Sequence, residues 1–85
     1  MAYQVVFRRS AEKTLEGIPQ RERNRLLDKI ELLEADPHPS GSRKLKGYDG
    51  LWRIRSGNYR AIYTEPDEDG IIDIVKVGHR RVVYN

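Results

Sequence analysis

The segment Asp36-Pro37-His38-Pro39-Ser40-Gly41-Ser42 divides the chain in two and limits what it can become. Two prolines and a glycine so close together support neither a helix nor a paired strand, so this stretch is a loop. Before it, apolar residues recur at helical spacing. After it, they follow the shorter period of extended chain. Such a chain falls in the α+β class, with helices segregated from most of the sheet.

The first half opens with Tyr3, Val5 and Phe7 alternating with Gln4, Val6 and Arg8, which is a short strand with one apolar face. Ser10 is a capping residue type, and Ala11, Leu15 and Ile18 then share one helical face. Gly17 and Ile18-Pro19 end that helix, because the residue before a proline avoids the helical region. Pro19 also suits the first turn of a second helix running to Ala35, on which Leu26, Leu27, Ile30 and Leu33 recur. In the second half, Leu51–Arg55 and Tyr59–Thr64 read as strands joined by the turn Ser56-Gly57-Asn58. A turn over Pro66–Gly70 leads to Ile71–Val77, apolar at nearly every position except Asp73, as in a central strand covered at least partly on both faces. Val82, Val83 and Tyr84 extend the sheet or cross its end. The predicted order is β-α-α-β-β-β, in one domain over residues 1–85. It implies an antiparallel sheet of about four strands with the N-terminal helical hairpin packed on one face. The opposite face stays at least partly open, and the working surface is expected there.

Composition removes several chemistries. There is no cysteine, hence no disulfide, thiolate nucleophile or zinc knuckle, and the only histidines are His38 and His79. No glycine-rich phosphate loop, Ser-His-Asp arrangement, HExxH or EF-hand spacing occurs, and no cofactor or metal is implied. No apolar run approaches the roughly 18 residues of a membrane span, so no membrane partner is expected and the chain reads as cytoplasmic. The net charge is only +3, but it is segregated. Residues 43–60 carry Arg43, Lys44, Lys46, Arg53, Arg55 and Arg60 against Asp49 alone, a local net of +5. Residues 65–73 carry Glu65, Asp67, Glu68, Asp69 and Asp73 with no cation, a local net of −5. Lys76, Arg80 and Arg81 follow. This is a localised positive field.

Strand parity puts Arg53 and Arg55 on one face, opposite Trp52 and Ile54, and the turn brings Arg60 back beside them. Three guanidiniums on one hairpin repel one another, and a polyanion relieves that, since the planar fork of arginine matches phosphate oxygens bidentately. The alternative is neutralisation by the acidic 65–73 segment. Lys44 and Lys46 flank Leu45 and point to solvent, where they can steer a phosphate backbone. His79, beside Arg80 and Arg81, is a candidate general base near neutral pH, or else an idle residue at a strand end. Tyr84 can stack on a base, exchange a proton, or plug the sheet end. Trp52, Tyr59 and Tyr63 are expected to pack, and His38 to be structural or idle.

Together, Lys44-Leu45-Lys46-Gly47, Leu51-Trp52-Arg53-Ile54-Arg55, Gly57-Asn58-Tyr59-Arg60-Ala61-Ile62-Tyr63 and Val77-Gly78-His79-Arg80-Arg81-Val82-Val83-Tyr84 resemble the RelE/ParE superfamily of toxins, over essentially the whole chain. The resemblance implies a toxin silenced by a cognate antitoxin encoded beside it. Its RelE branch implies a metal-independent endoribonuclease that cuts mRNA in the ribosomal A site, so that mRNA and the ribosome are partners. Carried over by position, the basic strand residues match Arg53 and Arg55, the arginine after the turn matches Arg60, the arginine of the Val-Gly-x-Arg motif matches Arg80, and the terminal tyrosine matches Tyr84. The ParE branch acts on gyrase and generally lacks the full arginine and tyrosine set, so this chain is closer to RelE. Some RelE members carry lysines where Arg53 and Arg55 stand. An arginine cannot be deprotonated at ordinary pH, so these two are clamps rather than bases. Arg60 and Arg80 are then the candidates for stabilising a phosphorane, with His79 or Tyr84 moving protons. Lys44, Lys46, Arg53, Arg55 and Arg81 would grip flanking phosphates. A gyrase inhibitor without nuclease chemistry and a non-catalytic RNA-binding module are the other readings.

Overall fold

The computed structural model describes residues 2–81. Strand β1 (Gln4–Phe7) runs directly into helix α1 (Arg9–Glu16), which is followed by α2 (Gln20–Glu31) and a 3-10 turn over Leu32–Glu34. After the dividing loop come β2 (Arg43–Lys44), β3 (Leu51–Ser56), β4 (Tyr59–Thr64) and β5 (Ile71–His79).

The five strands form one sheet in the order β1-β5-β4-β3-β2. The expected sheet of about four antiparallel strands therefore differs in two respects. The chain adds the short edge strand β2, and β1 pairs with β5 in parallel while the other neighbours are antiparallel. The parallel pairing follows from the connection. Two helices lie between β1 and the rest of the sheet, so the chain crosses over the face and can return in the same direction. The crossover starts abruptly. The Arg8 N–H donates to the Ile74 carbonyl at 3.0 Å, and the helix begins at once. Arg8, not Ser10, is the N-cap, with no side-chain cap, while the Ser10 carbonyl accepts the Thr14 hydroxyl at 3.1 Å. Pro19 likewise stands at the N-cap of α2 rather than inside its first turn.

The helices cover one face of the sheet, α1 over β5 and α2 over β3 and β4. Leu26, Leu33, Ile54, Ala61, Tyr63, Ile72 and Ile74 are buried in that layer, and Tyr3, Val5, Phe7, Trp52 and Tyr59 pack against it. This is the inner face. The Ile71–Val77 run lies inside the sheet as expected, between β1 and β4. Its unbroken apolarity has a local cause. Ile62 pairs with Lys76 and Tyr63 with Ile74, so Val75 is an extra residue in a β-bulge and alternation resumes on the far side.

The β3–β4 hairpin sets up the site. Ser56 pairs with Tyr59, leaving the two-residue turn Gly57-Asn58. Gly57 has φ +58°, the left-handed value that the first central position of a hairpin turn of type II′ requires and that glycine supplies without steric cost.

Candidate nucleic-acid interface

Directly paired residues in an antiparallel sheet emerge on the same side. Arg55 pairs with Arg60, and Arg43 pairs with Arg53. Arg53 and Arg55 are two residues apart on one strand, so all four arginines share the outer face. Successive pairs are about 7 Å apart along the strands. Ile62 lies among them, opposite Arg53 on one side and Lys76 on the other, and is only 1% exposed although the helices cover the other face. Long cationic side chains that lay their methylene stems over an apolar residue and keep their heads in water produce this arrangement.

The cations are not neutralised from within. Among the described residues, no carboxylate comes within ion-pairing distance of Arg43, Arg53, Arg55 or Arg60. Two carboxylates of the acidic segment 65–73 are engaged elsewhere: Asp67 caps its own turn by accepting the Asp69 and Ile71 N–H groups, and Glu65 pairs with His38. Burial, and then the charges of Arg55, Arg60 and Arg43, push the Arg53 guanidinium below its ordinary value. Burial and Arg55 do the same to Arg60. Both stay cationic at neutral pH. The Arg60 Nε is buried and has no hydrogen-bond partner among the described residues. A buried donor left unpaired costs about 1–3 kcal/mol, which an incoming acceptor recovers.

The structure brings Arg53, Arg55 and Arg60 together as parity predicts, and adds Arg43, which periodicity could not single out because a two-residue strand has no measurable alternation. Lys44 pairs with Trp52 and so stands on the inner-face side of the edge, away from the arginines. Lys46 is exposed in the loop after β2. Arg80 is exposed just beyond β5, and its N–H donates to the Asn58 carbonyl at 2.6 Å, which ties it to the β3–β4 turn. Arg81 is exposed and donates its N–H to His79 Nδ1 at 3.3 Å. His79 pairs with Tyr59, and their rings meet edge to face with centroids 5.8 Å apart. Alternation thus puts the His79 imidazole on the side of the sheet opposite Arg60, and the structure does not bring the two together. Tyr84 lies outside the described residues.

His38 is far from idle as a structural element. Its Nε2 bonds both Glu65 carboxylate oxygens, and its ring sits on Trp52 with centroids 4.0 Å apart. The Tyr63 hydroxyl donates to the Pro37 carbonyl at 2.7 Å. These contacts fasten the dividing loop to the sheet just before β2. They hold in place the edge that carries Arg43.

A family model described as ParE toxin of the type II toxin–antitoxin system matches residues 5–84. The chain belongs to this RelE/ParE family of toxins. A Methanocaldococcus jannaschii protein named as a RelE toxin is 30% identical over 87 residues, covering 99% of this chain and 97% of that one. The archaeal RelE–RelB complex from Pyrococcus horikoshii contains a chain that superposes with a TM-score of 0.82 at 32% identity, covering 98% of this chain and all of that one. The E. coli RelBE toxin–antitoxin complex gives a TM-score of 0.81 at 28% identity, over 92% and 96% of the two chains. No helix among the described residues is long and apolar enough to cross a membrane.

Proposed function

We propose that this toxin cleaves mRNA in the cytoplasm, in the ribosomal A site, and that its outer sheet face holds the RNA backbone. The observation behind this reading is the arginine cluster: Arg43 opposite Arg53 and Arg55 opposite Arg60, with no carboxylate in ion-pairing distance and no partner for the buried Arg60 Nε among the described residues. Such a face suits closely spaced phosphates. Cleavage without a metal proceeds by attack of a ribose 2′-OH on its own 3′-phosphate. It gives a 2′,3′-cyclic phosphate and a 5′-OH. Arg60 is fixed on β4 and Arg80 is tethered beside the turn. Both supply positive charge where negative charge develops on the phosphorane, and fixed donors of this kind often lower such barriers more than any other device. Proton transfer falls to Tyr84 or His79. A cognate antitoxin is the protein partner, as in the toxin–antitoxin complexes that this chain resembles.

The test is expression without the antitoxin, with mRNA 5′ ends mapped over the following minutes. New 5′-OH ends within translated frames are expected, and they should vanish in Arg60→Ala, Arg80→Ala. Undiminished cleavage by that double variant would remove the arginines from the chemistry. The match to the ParE model keeps a second reading in view, a toxin that poisons gyrase by binding. It predicts growth arrest with DNA damage and intact mRNA in the same experiment.

A further inference from the structure

The bulge in β5 decides which residues stand beside the arginines. Ile74 and Val77 belong to the core cluster under the helices and so mark the inner face. Two residues, Val75 and Lys76, lie between them, whereas strict alternation places an odd number between two side chains on one face. Val75 is the extra residue, and Ile62 pairs with Lys76. A slip of one residue turns every later side chain to the other face. Without the bulge, Val77 and His79 would stand on the arginine face, with Lys76 and Gly78 toward the helices. With it, Lys76 and Gly78 share the face of Arg53, Arg55 and Arg60. Val75 turns outward with Lys76: it is buried but, like Ile62, stands outside the core cluster under the helices.

Arg60 therefore has unlike neighbours on its two sides. Arg55 is opposite it on β3 and Gly78 is opposite it on β5. Lys76, two residues from Gly78, is the diagonal neighbour of Arg60, at roughly 7–8 Å for such a pair. Gly78 lies inside β5, where a glycine weakens the strand and packs nothing. The backbone does not demand it, because Gly78 is not among the glycines with positive φ. A strand glycine without that need marks a bulge or a place where a ligand comes close to the backbone, and the bulge here is at Val75. The residue directly opposite Gly78 is the one whose buried Nε has no hydrogen-bond partner among the described residues.

We propose that Lys76 and Gly78 belong to the RNA site, Lys76 as a further phosphate contact and Gly78 as the position without a side chain over which a backbone phosphate reaches Arg60. The inference rests on the RNA reading above and extends its site from β2, β3 and β4 onto β5. The row Arg43–Arg53–Ile62–Lys76 crosses four strands with cations at both ends. The next row, Arg55–Arg60–Gly78, has its gap at the β5 end. A backbone entering at that gap meets Arg60 and Lys76 together. Their chemistry is complementary: the guanidinium forks over two phosphate oxygens, and the ammonium is a compact point charge that follows a phosphate without fixing its orientation.

The test titrates the full chain with a short single-stranded RNA at several salt concentrations, and reads cleavage by mapping mRNA 5′ ends in cells. Lys76→Gln should weaken binding by about tenfold, as loss of a charge-assisted contact does, and should lower the salt slope by about 0.7. Lys76→Arg should restore the slope. Lys29→Gln makes the same charge change at an exposed position on α2, on the helix side of the sheet, and should leave affinity and slope nearly unchanged. Gly78→Ala should melt at or above the wild-type temperature, since alanine suits a strand better than glycine, while RNA affinity and cleavage fall by about tenfold or more. A residue with a merely structural role would not show that combination. Equal effects of Lys76→Gln and Lys29→Gln overturn the assignment of Lys76. A Gly78→Ala protein that binds and cleaves as the wild type does, or that melts well below it, overturns the assignment of Gly78. Either result leaves the RNA reading standing as long as the wild type binds. Absence of RNA binding by the wild type overturns that reading and the inference with it.

Discussion

Replacing Arg55 by glutamine should make the free protein more stable and its RNA complex weaker. Arg55 stands directly opposite Arg60 in the β3–β4 register and two residues from Arg53, with no carboxylate to offset it among the described residues. Like charges opposite one another in a sheet destabilise it by a few tenths of a kcal/mol to about 1 kcal/mol. Arg55 is exposed, so water and salt screen it, and roughly 0.5 kcal/mol is the proper scale. For a domain of this size that corresponds to a rise in Tm of about 2–4 °C at low ionic strength. The gain should disappear in 1 M salt, where the Debye length falls to about 3 Å. Binding to a short single-stranded RNA moves the opposite way. One lost charge-assisted contact lowers affinity by about tenfold or more, and the salt slope should fall by about 0.7 for each phosphate contact removed. Calorimetry of the two proteins at low and high salt, with RNA titrations over the same range, measures both. A lower Tm at low salt, or a gain that survives 1 M salt, would refute the claim that these arginines repel one another. Unchanged RNA affinity would refute the claim that they serve a polyanion.

Three further outcomes follow from the core and the loop. Burial, reinforced by Glu65 and Asp36 and partly opposed by a hydrogen bond with Ser42, pushes the Tyr63 phenol up to about 12 from an ordinary 10. A pKa raised on folding gives stability that is complete below about pH 10 and lost as pH rises through about 12. The wild type should therefore lose about 2–3 kcal/mol relative to Tyr63→Phe across that interval, read by denaturant melts at several pH values. Leu26→Ala, at a fully buried core position, should cost about 2–5 kcal/mol in the same melts. His38→Ala removes the partner of Glu65 and the ring against Trp52, so Trp52 fluorescence, the chain's single tryptophan signal, should change. Residues 36–42 should also become easier to cleave by protease while the global melting temperature moves little.

The helical hairpin was legible because Leu26, Ile30 and Leu33 repeat at helical spacing and Pro19 marks the joint. The β3–β4 hairpin was legible because parity around a glycine turn fixes which arginines meet. Adjacency across long stretches of chain was not legible. Nothing in Gln4–Phe7 says that it will lie parallel to Ile71–Ile74, since the decision is made by helices packing over the sheet between them. Arg43 went unselected for a similar reason: its place opposite Arg53 depends on a loop pinned by His38 and Tyr63, whose partners are 27 and 26 residues away in sequence. His79 shows the converse limit. Its neighbours in sequence are cations, yet strand alternation turns its ring toward Tyr59, on the other side from Arg60.

The position of β5 also has a consequence in time. It is the last of the described strands in chain order, and it lies between the first strand and the hairpin that bears Arg53, Arg55 and Arg60. Until residues 71–79 have been made, β1 and β4 have nothing to pair with between them. The sheet closes only once β5 is in place. A chain built in this order cannot assemble the full sheet from its first 70 residues, and one cut short of β5 leaves the arginine hairpin without its neighbour strand.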